Sequence, residues 1–172
     1  MTERPIIFSS ETVRAILQDR KMQTRRVIKP QSNLIEKIKC PYGEAGDRLW
    51  VRETFYICCG DRIFYKADGE SAGDKWCSPL YMPRWVSRIT LEIQKVGVER
   101  LQDITYQDIL DEGWDVKTSK PSTSRTAGED AKDWFINLWD SLSKKRGYGW
   151  DTNPWVWVIS FQIRRQEKKE EK

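Results

Sequence analysis

Residues 9–30 read SSETVRAILQDRKMQTRRVIKP, and a change of pattern inside this stretch bears most directly on the fold. Val13, Ile16 and Leu17 recur at helical spacing behind Ser9 and Ser10, hydroxyl residues suited to accept from free N–H groups, so a helix is expected over 9–21. From Thr24 onward the helical period is lost. The segment 24–30 reads as extended and stops at Pro30, because proline pushes its predecessor out of the helical region. A helix feeding directly into a strand is the first sign of a mixed α and β chain.

The flanking sequence repeats that mixture. RPIIF (4–8) has the composition of a short strand, and CPYGEAGD (40–47) is rich in turn residues. RLWVRETFYIC (48–58) and RIFYKAD (62–68) resemble the arms of a hairpin, followed by a loop over 68–76. Within 86–101, Ile89, Leu91 and Ile93 alternate with polar residues, the period of a long strand. ITYQDILDEGW (104–114) predicts a short helix capped by Thr105 and ended by Gly113. The segment 117–130 is rich in Ser, Thr and Pro and reads as a mobile loop. In 129–145, Ala131, Trp134, Phe135, Leu138, Trp139 and Leu142 share a helical stripe, and 154–165 is a closing strand. The expectation is one α+β domain over 1–165, built round a twisted and closed sheet, with a charged tail at 166–172.

Composition narrows the chemistry. The chain has 172 residues, enough for a proper core, and nine tryptophans argue against disorder. A net charge of +4 fits a nucleic-acid partner without demanding one. There is no histidine, which excludes Ser-His-Asp and Cys-His catalysis and every His-ligated metal site. Cys40, Cys58, Cys59 and Cys77 include no CxxC pair, so free thiols rather than a zinc site are expected. Neither a membrane-length apolar run nor a signal peptide is present, and the reading is cytoplasmic, with no membrane partner. No metal or cofactor is called for; oligomeric state is left open.

DRKMQTRRV (19–27) is the most unusual stretch. Arg20 and Lys21 fall where cations favour the carbonyl end of a helix, a purely structural role worth about 0.3–1 kcal/mol each. Beyond them, strand alternation puts Thr24, Arg26 and Ile28 on one face and Gln23, Arg25 and Val27 on the other. A strand with a cation on each face needs anionic partners, although composition alone favours solvated charge.

The ordered series DRKMQTRR, GDRLWVRE (46–53), ITYQDILDEGW and WVWVISF (155–161) resembles the ASCH family, and within it phage- and prophage-encoded members. The resemblance runs from about Arg4 to Phe161, leaving out the Ser/Thr-rich loop and the tail, and it implies a PUA-like β-barrel. It also implies recognition of RNA, single-stranded DNA or a modified nucleoside in a cleft beside the barrel. One branch of the family is an amidohydrolase acting on N4-acetylcytidine, with a Lys, Thr and Glu set that falls here on Lys21, Thr24 and Glu112. The family's basic residue two places after the threonine falls on Arg26. Inserted segments around 31–45 and 68–85 and the tryptophan content depart from the family pattern.

Amide hydrolysis needs a nucleophile, a proton acceptor and a group that steadies the oxyanion. Without histidine, a lysine accepts the proton only if its pKa falls from ~10.4 towards ~7, through desolvation or nearby cations such as Arg25 and Arg26. Thr24 would be the nucleophile or would position a water. Glu112 would handle the leaving amine or orient Lys21, and in pairing with Lys21 it would oppose the base role. The reverse division, a charged Lys21 at the oxyanion and Glu112 activating water, is equally open.

The remaining aromatic and basic residues carry two readings each. Trp155 and Trp157 alternate with Ile159, Phe161 and Ile163 and read as core, as do Trp134 and Trp139. Trp85, between Arg84 and Arg88, has the makings of a base-stacking platform, against the simpler reading of an edge tryptophan covered by arginine stems. Tyr148 lies in KKRGYGWDTNPW (144–155), where cations, glycines and aromatics suit either a base contact or an ordinary helix-to-strand connection. Asp47 reads as a turn residue, and Arg52 and Glu53 fall on opposite strand faces. Two rivals to hydrolysis follow: a non-catalytic RNA or single-stranded DNA binder using the same basic cleft, and a phage interaction protein marked by an exposed apolar patch around Tyr81–Trp85.

Overall fold

Strand pairing and helix capping come from the same local patterns in the computed structural model, which describes residues 1–31, 38–58, 62–69, 75–116 and 126–164. The elements are β1 (Glu3–Ile7), α1 (Ser10–Leu17), β2 (Gln23–Val27), β3 (Arg48–Arg52), β4 (Phe55–Ile57), β5 (Ile63–Tyr65), β6 (Thr90–Arg100), α2 (Tyr106–Asp111), α3 (Ala127–Ser143) and β7 (Trp155–Ile163). Five strands are hydrogen-bonded in the order β1-β3-β6-β7-β2, and β4 pairs with β5 in a separate two-stranded sheet. The chain is therefore mixed α and β, as its patterns predict.

Among the described residues the order ends at β1 and β2, and these two strands are not paired with each other as the expected closed barrel requires. The expected hairpin arm 48–58 breaks in two at Glu53 and Thr54, so that β3 joins the large sheet while β4 turns away to pair with β5. Strand residues that would have widened the large sheet are spent on the small one.

The chain divides into two compact units, one of Met1–Arg14, Pro41–Gln94 and Phe161–Lys172 and the other of Ala15–Cys40 and Lys95–Ser160. In the first, β1 runs parallel to β3, and β3 runs antiparallel to the start of β6. Leu49 and Val51 of β3 are buried with Ile6, Val13, Leu91 and Ile93, while Arg48, Trp50 and Arg52 alternate to the opposite face. Phe55, Met82 and Val86 make a second, smaller cluster beneath β4 and β5.

In the second unit β2 runs antiparallel to β7, with Thr24 opposite Ile159 and Arg25 opposite Val158. Ala131, Phe135 and Trp139 recur every four residues along α3 and bury one face against Ile109, Trp114, Val156 and Val158. Leu142, expected on the same stripe, is exposed, because it lies in the last turn of the helix. Both α2 and α3 open with reciprocal caps, Thr105 with Asp108 and Thr126 with Glu129. Such a cap is worth about 1 kcal/mol and sets each helix start. Among the described residues no helix is long and apolar enough to cross a membrane. Of the expected loop 117–130, residues 117–125 lie outside the described residues, as do Cys59 and the tail, while 127–130 are not loop but the first turn of α3, started by the Thr126 cap.

Candidate functional site

The helix expected over 9–21 stops at Leu17. Asp19 takes a left-handed conformation with φ of 53°, and the N–H groups of Arg20 and Lys21 both donate to the Ala15 carbonyl, at 2.9 and 3.1 Å. Lys21 is therefore not a cation at a helix end. It leaves the turn in extended form and makes an antiparallel bridge with Glu112, which sits at the C-terminal cap of α2. Gly113 follows with φ of 104°, and a Cβ there would lie 3.1 Å from Ala15 Cβ and 3.2 Å from Lys21 Cβ. The glycine thus serves two needs at once, a left-handed turn and a close approach.

This bridge brings opposite charges together inside the protein. Lys21 Nζ donates to Glu112 Oε2 at 2.5 Å and to the Glu112 carbonyl at 2.9 Å. The other carboxylate oxygen of Glu112 accepts from Arg25 Nη1 at 3.2 Å. Arg25 also donates to Gln23 Oε1 and Glu99 Oε1, and its Nη2 lies 3.4 Å from Asp108. Lys21, Arg25 and Glu112 are all buried. Glu112, Glu99 and Asp108 are each paired with Lys21 or Arg25, so these two cations are compensated.

Burial is the largest influence on Lys21 and holds its pKa below the ordinary lysine range. Glu112 pulls the other way by attraction and hydrogen bonding, while Arg26 and Arg25 add to the lowering; desolvation prevails. For Asp108 burial acts to raise the pKa. It is outweighed by hydrogen bonds from the Thr105 hydroxyl and backbone N–H and by Arg25, so that carboxyl titrates below its usual range.

Thr24 is buried, and strand alternation sets it with Arg26 on the face of β2 opposite Gln23 and Arg25. Among the described residues no hydrogen bond joins its hydroxyl to Lys21 or Glu112. Of the residues singled out in the sequence, the structure brings together Lys21, Arg25 and Glu112. Gln23 joins them from the same face of β2 as Arg25, and Glu99 and Asp108 join unannounced. Glu99 and Gln23 look like ordinary polar positions on strands, and Asp108 is fully explained by its capping role.

Arg84, Trp85 and Arg88 belong to the other unit. Arg84 makes a two-pronged contact with Glu3 at 2.9 Å on each oxygen. Arg88 grips Glu53 and Asp68 and stacks 3.9 Å above the Tyr65 ring. Neither arginine offers a phosphate an uncompensated charge. Trp85 is 65% exposed, and Tyr81 and Leu80 beside it are exposed as well. Tyr148 is half-buried, with Lys29 Nζ 5.3 Å from its ring centre. Asp47 accepts from the N–H groups of Thr2 and Glu44, as a turn residue does. Among the described residues no group of three His, Cys, Asp or Glu side chains is placed to hold a metal.

No protein-family model matches the chain, and no curated protein matches it. Among solved structures it is similar to an ASCH domain from Lactobacillus crispatus, at 13% identity, covering 94% of this chain and 79% of that one with a TM-score of 0.47. It is also similar to a protein from Enterococcus faecalis, at 9% identity over 100% of this chain and 86% of that one, with a TM-score of 0.49. A third, from Pyrococcus furiosus, has 11% identity over 95% and 97% of the two chains and a TM-score of 0.33.

Proposed function

We propose that the chain hydrolyses the exocyclic amide of an N4-acylated cytidine, with Lys21 and Glu112 moving the proton. The observation that carries this reading is the buried contact of 2.5 Å between the two side chains, made by a lysine whose pKa burial has lowered. Burial shifts such a lysine towards its neutral form, and a carboxylate already hydrogen-bonded to it is a ready relay. Neutral Lys21 takes a proton from water as the oxygen attacks the acyl carbon. The proton passes to Glu112 and on to the leaving exocyclic nitrogen as the C–N bond breaks, giving the free acid and cytidine.

Arg25, on the far oxygen of Glu112, keeps that carboxylate oriented for the relay. Thr24, on the other face of β2, is assigned to substrate positioning rather than attack. The motif resemblance to ASCH proteins supplies the substrate class, a nucleoside or a base within RNA or single-stranded DNA. The charge balance favours proton transfer over simple anion capture, because a phosphate entering this cluster would meet three carboxylates.

The test is acetate release from N4-acetylcytidine by the purified chain. Turnover is expected, with Lys21→Met and Glu112→Gln each lowering it by about a hundredfold or more. No acetate above the buffer rate would remove the assignment. A second reading rests on a different observation: Leu80, Tyr81 and Trp85, 62%, 78% and 65% exposed within six residues, form an apolar surface suited to a protein partner.

A further inference from the structure

In the first unit, strand register fixes which side chains share the face of the large sheet turned away from the core. Pairing sets Glu3, Pro5 and Ile7 of β1 level with Arg48, Trp50 and Arg52 of β3. It also sets Arg48 and Trp50 level with Glu92 and Thr90 of β6. The intervening Ile6, Leu49, Val51 and Leu91 are buried on the core side. Arg84 reaches across all three strands: it holds Glu3, donates to the Thr90 hydroxyl at 3.2 Å and sets its guanidinium carbon 5.9 Å from the Trp50 ring centre. Arg52 flanks the same ring at 5.4 Å, and its Nη2 donates to the Leu80 carbonyl. These contacts join the sheet face to the segment that carries Leu80, Tyr81 and Trp85.

That segment is anchored from beneath. Met82 and Val86 are buried in one cluster with Phe55, and the Ser87 hydroxyl donates to the Val51 carbonyl at 2.7 Å. Ser78 caps the turn that begins at Pro79. Leu80, Tyr81 and Trp85 are thus held outward on a fixed backbone, and side chains presented in this way lose little freedom on binding. Ile7, level with Arg52, is exposed too and extends the apolar surface along β1. The charges on this face are matched except one. Arg84 grips both oxygens of Glu3, and Arg48 lies level with Glu3 and Glu92. Arg52 lies level with Ile7 instead; its buried Nε meets no acceptor, and among the described residues no carboxylate pairs with it.

We propose that this surface docks a segment of another protein in which an acidic side chain stands beside apolar ones. The carboxylate pairs with Arg52, and the apolar side chains pack on Ile7, Leu80, Tyr81 and Trp85. This rests on the reading of Leu80, Tyr81 and Trp85 as a surface for a protein partner, and it is independent of amide hydrolysis. A guanidinium already fastened at one nitrogen and set beside a ring is oriented for a carboxylate. A second copy of this chain is the poorer occupant, because its equivalent face has no carboxylate to spare. A nucleic acid draws its affinity from several uncompensated cations, and this face offers one.

The experiment applies the labelled full chain to an array of immobilised peptides that set Leu, Phe or Trp beside Asp or Glu, with a matched set carrying Asn or Gln instead. The acidic set is expected to retain the chain, and the amide set to retain it about tenfold less, as for a lost charge-assisted hydrogen bond. Arg52→Gln should weaken retention by the acidic set by a similar factor and leave the amide set unchanged. Trp85→Ala should weaken both sets about thirtyfold. Thermal melting confirms that each variant is folded, and Lys21→Met should keep its peptide binding whatever its effect on acetate release. Equal retention by the two sets, lost in Trp85→Ala, overturns the acidic partner and leaves the apolar surface standing. No retention, or retention indifferent to Trp85→Ala, overturns both. Self-association in sedimentation that Trp85→Ala abolishes, or tighter binding of a single-stranded oligonucleotide that Arg52→Gln abolishes, also overturns the proposal.

Discussion

Lys21 and Glu112 are 91 residues apart in sequence, yet the ammonium of one donates to both the carboxylate and the backbone carbonyl of the other. This relationship combines two opposed influences on one lysine: burial lowers its pKa and the carboxylate raises it, with burial the larger. If neutral Lys21 is the proton acceptor, kcat/KM rises with pH through the lysine pKa and then levels. Glu112→Gln removes the raising influence, so the residual rate should rise at a lower pH. Stability has a defined sign too. Between the lowered folded pKa and the ordinary value of 10.5, the unfolded chain binds more protons, so Lys21 makes stability rise with pH in that window. Chemical denaturation at stepped alkaline pH, compared with Lys21→Met, measures the contribution.

Breaking the pair should cost more than removing it. Lys21→Met leaves Glu112 buried with Arg25 as its remaining cation, at an expected loss of about 3 kcal/mol. In the double variant Lys21→Met with Glu112→Leu, Arg25 keeps Glu99 and Asp108, and no uncompensated charge is left by design. The double variant should therefore lose less than the two single losses added together. Urea unfolding of all three variants gives the coupling directly.

Thr24 separates attack from positioning. Thr24→Val keeps the side-chain shape and removes the hydroxyl. With water as nucleophile, the variant should keep a measurable kcat with a raised KM, and no acyl-enzyme should appear on rapid quenching. Complete loss of kcat with retained substrate binding would make the hydroxyl the nucleophile after all.

Much of this arrangement is legible in the chain, but not its contacts. Period-two alternation places Arg25 with Gln23 and apart from Thr24, as found. The helix-end reading of Lys21 fails because α1 closes four residues early, through a left-handed Asp19 that nothing in its neighbours announces. The run 48–58 looks continuous because Glu53 sits among strand formers. At the break Glu53 is buried, and its partner, Arg88, lies 35 residues away. Local pattern predicts elements and faces; it does not predict which distant charge a face will meet.

Gly113 is the position where backbone and site meet. An added Cβ would crowd the Ala15 and Lys21 side chains at 3.1 and 3.2 Å, and φ of 104° is strained for any other residue. Gly113→Ala should cost about 1–3 kcal/mol and shift Lys21 away from Glu112. The expected readout is a lowered melting temperature together with a greater loss of acetate release than the lost stability explains.

Glu53 offers the opposite titration to Lys21. Its carboxyl is buried and its pKa is raised chiefly by that burial, against the lowering influence of Arg88, which donates to both its oxygens. The sign follows: the unfolded chain gives up this proton near 4.5 and the folded chain only at higher pH, so the folded state binds more protons in between. Stability conferred here is fully present below that ordinary value and declines as pH rises through the raised one. Glu53→Gln should flatten this decline. Arg88→Ala should steepen and extend it, because Glu53 would lose its hydrogen-bonded cation and ionise at a still higher pH, with a cost at neutral pH of about 3 kcal/mol. Thermal melts of the three proteins from pH 4 upward, on the order of one unit per step, distinguish these slopes; equal slopes in all three would mean that Glu53 is not the group being titrated.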